Sequence, residues 1–194
     1  EKMSKSLGNF VPLEDMVEKY GADAFRLWSL SNTVWDDLRF NWNEIKEAHR
    51  SLGTIYNLGV FLSRFCAFER KPLLPDPESL QTEDRWLLSR LSATAEECTQ
   101  AFETHRPHSA AKAVRQFLIE DISRFYMKLA KQRIDEHVHF AEQNASDIGS
   151  KADAEGAQCP AMAVLYHAVF DALLLLAPIA PFISESVYLS FYKK

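Results

Sequence analysis

Apolar side chains recur along most of this chain at alternating steps of three and four. Ile45, Ala48, Leu52, Ile55, Gly59, Leu62 and Cys66 form one such seam, the pattern of a long helix packed lengthwise against its neighbours. Leu87, Leu91, Cys98 and Phe102 mark the inward face of a helix from about Glu83 to just before Pro107. Ala111, Val114, Leu118, Ile122, Phe125 and Leu129 do the same for a helix from Pro107 to about Ile134. A fourth long helix, Ala161 to Ala177, is apolar enough to close the core, and a short terminal helix is expected near Ile183 to Phe191. Four long helices with short links predict an all-α fold, an antiparallel helical bundle.

Shorter signals fill the intervals. Pro12 followed by Glu14 and Asp15 starts a helix, because proline suits the first turn and carboxylates favour its positive end. Gly21 stops it, and a second short helix runs from Ala22 to about Ser31. Leu38, Phe40 and Trp42 alternate with Asp37, Arg39 and Asn41, a period of two that predicts a brief extended segment with one buried face. Asn41 and Glu44 have capping-box spacing at the start of the next helix. Lys71 to Gln81 contains three prolines and reads as a loop, and Asp135 to Gln158, polar and without period, reads as a mobile one. The chain is thus expected to divide into an opening loop with connecting helices over 1–31 and the bundle over 32–194, with the mobile loop at 135–160.

Composition changes this picture little. At 194 residues the chain can bury one substantial core, and 47% hydrophobic with 25% charged residues is ordinary for a soluble globular protein. Cys66, Cys98 and Cys159 lie too far apart for a C-x-x-C pair, which argues against a zinc ribbon and for a reducing, cytoplasmic setting. No signal peptide is evident. The most apolar stretch, Ala161 to Phe182, carries His167 and Asp171 and is interrupted by Pro178 and Pro181, so it reads as buried core and not as a membrane span.

Charge is more informative. The formal net charge of −5 hides a strong separation along the chain. Arg106 to Arg133 carries seven Lys and Arg residues against two carboxylates, whereas Asp135 to Gln158 carries six carboxylates against one lysine. The basic stretch keeps RNA among the candidate partners of an otherwise acidic chain.

The opening EKMSKSLGN sets Lys2 and Lys5 three residues apart, with Ser4, Ser6 and Gly8 around them. Two compact ammonium charges at that spacing suit an oligophosphate, although a lone K-x-x-K is more often a solvated terminus. KMSKSLGN at Lys2 to Asn9, followed by YGADAFRLWSL at Tyr20 to Leu30, resembles the signature loop and adjoining segment of class I aminoacyl-tRNA synthetases. VWDDLRFNW at Val34 to Trp42, EDRWLLSRL at Glu83 to Leu91 and DISRFYMKL at Asp121 to Leu129 are similar to the isoleucyl branch of that family, of the archaeal and eukaryotic-like type. The same region of a leucyl or valyl relative, or a non-catalytic helical interaction module, is the alternative.

This resemblance covers most of the chain and is weakest from Asp135 to Pro160. It implies a helical anticodon-binding domain preceded by the KMSKS loop, both serving the ATP-dependent attachment of isoleucine to its tRNA. Lys5, supported by Lys2, is the implied catalytic pair, stabilising charge on the leaving pyrophosphate as the loop closes. Lys2, Met3, Ser4, Lys5 and Ser6 are the implied ATP-binding stretch. ATP with magnesium is the cofactor expected of the full enzyme. This chain shows no nucleotide-binding sheet or HIGH-type motif, so alone it is expected to bind none and to be inactive, its catalytic and editing domains lying elsewhere in a longer, monomeric chain. The isoleucine tRNA is the expected partner, and no membrane is.

Single-stranded RNA is held by basic side chains on its backbone and by planar groups that stack on splayed bases. On a regular helix Arg124, Lys128 and Lys131 project within about 60° of one another, opposite Ile122, Phe125 and Leu129, and so suit phosphates. Arg85 and Trp86 form a candidate base-facing pair, with burial of Trp86 the competing reading. His137 and His139 lack a third spaced ligand, so no metal site is expected. Asp36 and Asp37 point to opposite faces of an extended segment, leaving Arg39 as the expected partner of Asp37, and Phe61, Phe65 and Phe68 read as core.

Overall fold

The computed structural model describes residues 6, 10–33, 35–65, 72–144 and 159–192. Among them every regular element is helical, as the apolar spacing requires. Helices α1 (Leu13–Tyr20) and α2 (Ala22–Leu30) form a short hairpin bent at Gly21, whose φ of 83° is a conformation that residues with a Cβ rarely adopt. Helices α3 (Trp42–Phe65) and α4 (Thr82–Glu103) follow. Next comes one continuous helical run in three parts: α5 (Pro107–Gln116), a π-helical stretch (Phe117–Tyr126) and α6 (Met127–Asn144). Helices α7 (Pro160–Leu176) and α8 (Pro181–Val187), with a π turn over Tyr188–Tyr192, complete the described fold.

The core is organised around α7. Ala161 through Val169 are all buried, and α3, α4, α5, α6, α8 and the π stretch all pack on this helix. A helix apolar on every side is stable only where neighbours cover most of it, and this one is covered along its first half, with Leu174 left exposed near its end. Its one imidazole is satisfied: His167 Nε2 lies 2.8 Å from the Pro72 carbonyl, tying the loop before α4 to the core. No described helix is long and apolar enough to cross a membrane. In α3 the expected seam is buried at Ile45, Ala48, Leu52, Ile55 and Leu62. Phe61 packs partly buried against the core, while Cys66, Phe68 and the Phe65 side chain lie outside the described residues.

The segment leading into α3 departs from its period of two. Phe40 packs against the core, but Leu38 and Trp42 are 48% and 37% exposed. The reason is local: Phe40 sits edge-on between Trp28 and Trp42, so aromatic neighbours rather than a buried strand face hold it. Asn41 does cap α3, accepting the Asn43 amide at 2.9 Å. Glu44 closes no capping box: its Oε2 accepts the Trp28 indole N–H at 2.8 Å and its Oε1 the Asn41 side-chain amide at 3.4 Å. Asp36 accepts the Thr33 hydroxyl, while Asp37 and Arg39, both exposed, form no ion pair with each other, contrary to expectation.

Polar clasps fix the α1–α2 hairpin. His49 Nδ1 lies 2.9 Å from the Tyr20 carbonyl, joining the hairpin to α3. Arg26 donates to the carbonyls of Ile179 and Pro178, both at 2.9 Å, and Asp23 accepts the Ile183 amide at 2.6 Å. Helix α2 therefore grips both sides of the α7–α8 turn, satisfying carbonyls that leave one helix and an amide that begins the next.

The long helical run departs most from expectation. It does not stop near Ile134 but continues to Asn144, so residues 135–144, read as the start of a loop, are helical. The polar Asp135, Glu136, His137 and His139 of that extension give no apolar stripe, which is why periodicity gives no signal there. Residues 145–158 of that expected loop lie outside the described residues. The π stretch also changes which side chains face inward. It replaces i−4 with i−5 hydrogen bonds, and the fully buried positions step by four, through Leu118, Ile122, Tyr126, Ala130 and Ile134. Phe125 and Leu129, inward on a 3.6-residue period, are 49% and 45% exposed. Phe102, in the last turn of α4, is likewise exposed.

Candidate nucleic-acid interface

The surface formed by α4 and the long helical run rests on a buried polar anchor. Asp84 is fully buried three residues into α4, where its Oδ2 accepts the Gln81 amide at 3.0 Å. Arg133 donates to both carboxylate oxygens, Nη1 to Oδ2 at 3.0 Å and Nη2 to Oδ1 at 2.8 Å. The Tyr126 hydroxyl donates to Oδ1 at 2.6 Å, and Glu83 adds a 3.0 Å ion pair to Arg133. Burial alone raises the Asp84 pKa, but bonds from Arg133, Tyr126 and the Gln81 amide outweigh it and hold the carboxyl below its usual value. The Tyr126 phenol is pushed up by burial and then by the adjoining Asp84 charge.

This anchor was missed by sequence reasoning, although a signal existed. Tyr126 and Arg133 are seven residues apart, two helical turns, and so share a face of the run. What periodicity does not supply is the partner: only the packing of α4 against α5 and the π stretch of the long helical run brings Asp84 between them.

Two residues beyond Asp84, Trp86 turns its ring to the surface of the pair of helices. Its centroid lies 4.7 Å from that of Phe125, with the rings inclined at 64°. Trp86 is half-buried and Phe125 half-exposed, so the pair has one face on protein and one on solvent. Burial of Trp86 is therefore partial, and the residue that joins it, Phe125, is one that regular helical spacing assigns to the core. On the same face as Phe125, one turn on, stand Lys128 and Leu129, both exposed.

The remaining candidates are distributed around this pair. Arg85 is exposed on α4, adjacent in sequence to Trp86, and Lys131 is exposed on α6. Arg85, Lys128 and Lys131 form no ion pair within the described residues, whereas Arg124 Nη1 donates to Glu120 at 2.7 Å, one turn back. The three cations expected opposite Phe125 and Leu129 thus lie beside them, because the π stretch rolls both apolar residues outward. Of the opening loop only Ser6 is described, and it is exposed; Lys2, Met3, Ser4 and Lys5 lie outside the described residues. No group of three His, Cys, Asp or Glu side chains able to hold a metal occurs among the described residues, and His137 lies on α6.

The site thus consists of a partly solvent-facing aromatic pair with Arg85, Lys128 and Lys131 exposed around it, braced from beneath by the buried Asp84–Arg133 pair. Comparison with known proteins defines the class. Residues 84–194 match the family model for the anticodon-binding domain of tRNA ligase, and residues 1–41 match that for class I tRNA synthetases (I, L, M and V). The chain belongs to the family of class I aminoacyl-tRNA synthetases, as a stretch containing their anticodon-binding domain.

Within that class, curated relatives point to isoleucine. The isoleucine–tRNA ligase of Methanopyrus kandleri is 38% identical, covering 99% of this chain and 17% of its own length. That of Sulfolobus acidocaldarius is 34% identical over 100% of this chain and 17% of its own length. These relatives do not favour a leucyl or valyl assignment or a non-catalytic module. The chain spans about a sixth of their length. Two solved structures share the fold at lower identity. A methionyl-tRNA synthetase of Mycobacterium tuberculosis, in complex with methionyl-adenylate, has a TM-score of 0.71 at 22% identity, covering 96% of this chain and 35% of its own. The Agrobacterium radiobacter LeuRS, in a ternary complex with tRNA and LeuAMS, has a TM-score of 0.66 at 20% identity, covering 97% of this chain and 20% of its own.

Proposed function

We propose that this chain serves the ATP-dependent attachment of isoleucine to its tRNA by holding the anticodon region of that tRNA on the α4–α6 surface. The observation that carries this reading is the Trp86–Phe125 pair, aromatic, partly solvent-facing and set beside Lys128. An unstacked base of the anticodon loop extends the aromatic pair, while Arg85, Lys128, Lys131 and Arg124 meet the phosphates on either side. The anchor of Asp84, Tyr126 and Arg133 pre-organises this surface, so little ordering is left for the binding step.

In the same reading residues 1–31 belong with the catalytic part and 32–194 form the tRNA-binding bundle, with the Arg26 and Asp23 clasp joining the two. Lys5 and Lys2, with Met3, Ser4 and Ser6, face the ATP phosphates, where two ammonium groups favour the charge that develops on pyrophosphate. Magnesium, cytoplasmic location and a monomeric state complete the proposal.

The test is a fluorescence titration of isoleucine and valine tRNA transcripts into this chain at low and moderate salt. Trp86→Leu keeps the apolar volume at the surface but removes the stacking plane. The expected loss is about 1–3 kcal/mol, or about 5- to 150-fold, on the isoleucine transcript. Equal affinity of the Leu variant and the original chain refutes the stacking role, and equal affinity for both transcripts refutes isoacceptor selection by this surface.

A further inference from the structure

The π stretch joins two helical segments that are fastened to α4 separately. At one end the Cys98 thiol donates to the Ala110 carbonyl at 3.7 Å, within the packing of α4 on α5. At the other the Tyr126 hydroxyl donates to Asp84 at 2.6 Å. Between these points α4 uses fourteen residues, 84 to 98, whereas the antiparallel run uses sixteen, 110 to 126. The run therefore takes up two surplus residues over the same length. It must also bring both ends to one face, and sixteen residues at 3.6 per turn leave Tyr126 about 160° away from Ala110. A π winding meets both demands, since a turn closed by i−5 hydrogen bonds holds more residues than an α turn. The Met127 amide, at the end of the stretch, donates to the Ile122 carbonyl five residues back.

A third attachment pins the middle. Arg90 Nε donates to the Asp121 carboxylate at 2.9 Å. Asp121 and Tyr126 both face α4 although they stand five residues apart, a spacing that an α-helix turns through about 140° and that a π turn stacks. Trp86 meets Phe125 between these two attachments, so the ring pair depends on the winding they enforce.

We infer that Asp121 and Tyr126 are positioning residues for the RNA-binding surface: held by Arg90 and Asp84, they keep the run in its π winding and so set Phe125 beside Trp86. The consequence for RNA rests on the reading above; the winding does not. Tyr126 is fully buried, out of reach of any ligand, so its effect on binding passes through Phe125.

The test is the double variant Asp121→Asn with Tyr126→Phe in the whole 194-residue chain. It leaves no buried charge unpaired, because Asp84 keeps Arg133 and the Gln81 amide while Arg90 is 39% exposed. NMR couplings across hydrogen bonds identify the carbonyl that the Met127 amide meets. In the original chain it is that of Ile122. In the double variant it should become that of Ser123, with the Trp86–Phe125 ring cross-peaks lost and the helical circular dichroism kept. Affinity for the isoleucine transcript should fall about fivefold or more, the loss of one stacked base. Removing the Asp121 charge makes the surface more positive, so a purely electrostatic effect has the opposite sign. Asp121→Glu, which keeps the carboxylate, should keep the Ile122 coupling.

An unchanged Ile122 coupling in the double variant would overturn the assignment, as would ring cross-peaks that survive a shift to Ser123. A shifted coupling with transcript affinity unchanged upholds the positioning role and refutes base stacking on Phe125 instead, so the two readings fail separately. If the double variant loses its helical signal, the two single variants carry the test. Each should then show both couplings, and the Ile122 coupling alone in both overturns the inference.

Discussion

Replacing Arg133 with methionine tests the physical account of the anchor. The substitution keeps a long, flexible side chain but removes two charge-assisted hydrogen bonds from Asp84, which is fully buried, leaving only Tyr126 and the Gln81 amide to satisfy it. Breaking a buried pair by removing one partner costs about 3–5 kcal/mol, because the remaining charge stays in a poorly solvated site. Arg133 is itself about a fifth exposed (21%), so the lower end of that range, about 3 kcal/mol, is the expected loss. Urea unfolding followed by helical circular dichroism should then show a midpoint lower by about 1–3 M. Asp84→Asn with Arg133→Met should cost less than the two single changes summed, since the double variant buries no charge.

Acid supplies an independent check of sign. In the original chain the Asp84 carboxyl is held below its unfolded value of 3.8, so its contribution is present above that pH and is lost as pH falls through the folded-state value. In the Met variant the arginine's hydrogen bonds and charge no longer lower the carboxyl, so its pKa rises relative to that in the original chain and less stability is lost as the medium becomes acid. The stability gap between the two proteins must therefore narrow on acidification. A gap under about 1 kcal/mol at pH 7, or one that widens toward pH 4, would show that the pair contributes little and that packing alone holds α4 to the long helical run.

Other consequences follow from packing and burial. Gly59→Ala places a Cβ 2.5 Å from the Phe191 ring and 2.9 Å from Val187, so overpacking should outweigh the gain in helix propensity and lower stability by about 1–2 kcal/mol in thermal unfolding. Gly53→Ala in the same helix meets nothing within 4 Å and should instead raise stability by about 0.5–1 kcal/mol. Burial, and then the neighbouring Glu97 charge, push the Cys98 thiol from 9.0 up to about 11. Its contribution to stability is thus complete below pH 9.0 and is lost as pH rises toward 11, and mass-spectrometric mapping should find Cys98 unalkylated at pH 8 until denaturant is added.

The sequence alone determines the helical class, the seam of α3 and the apolar α7, because each depends on side chains a turn apart in one chain. It also carries the string KMSKSLGN and the basic stretch, which are matters of composition and order. It does not determine which face of the long helical run turns outward. That is decided by the π stretch over Phe117–Tyr126, which a 3.6-residue period cannot anticipate and which moves Tyr126 into the core and Phe125 out to Trp86. The Asp84–Arg133 pair is likewise invisible along the chain, because its partners are 49 residues apart and a contact at that separation exists only once two helices have packed side by side.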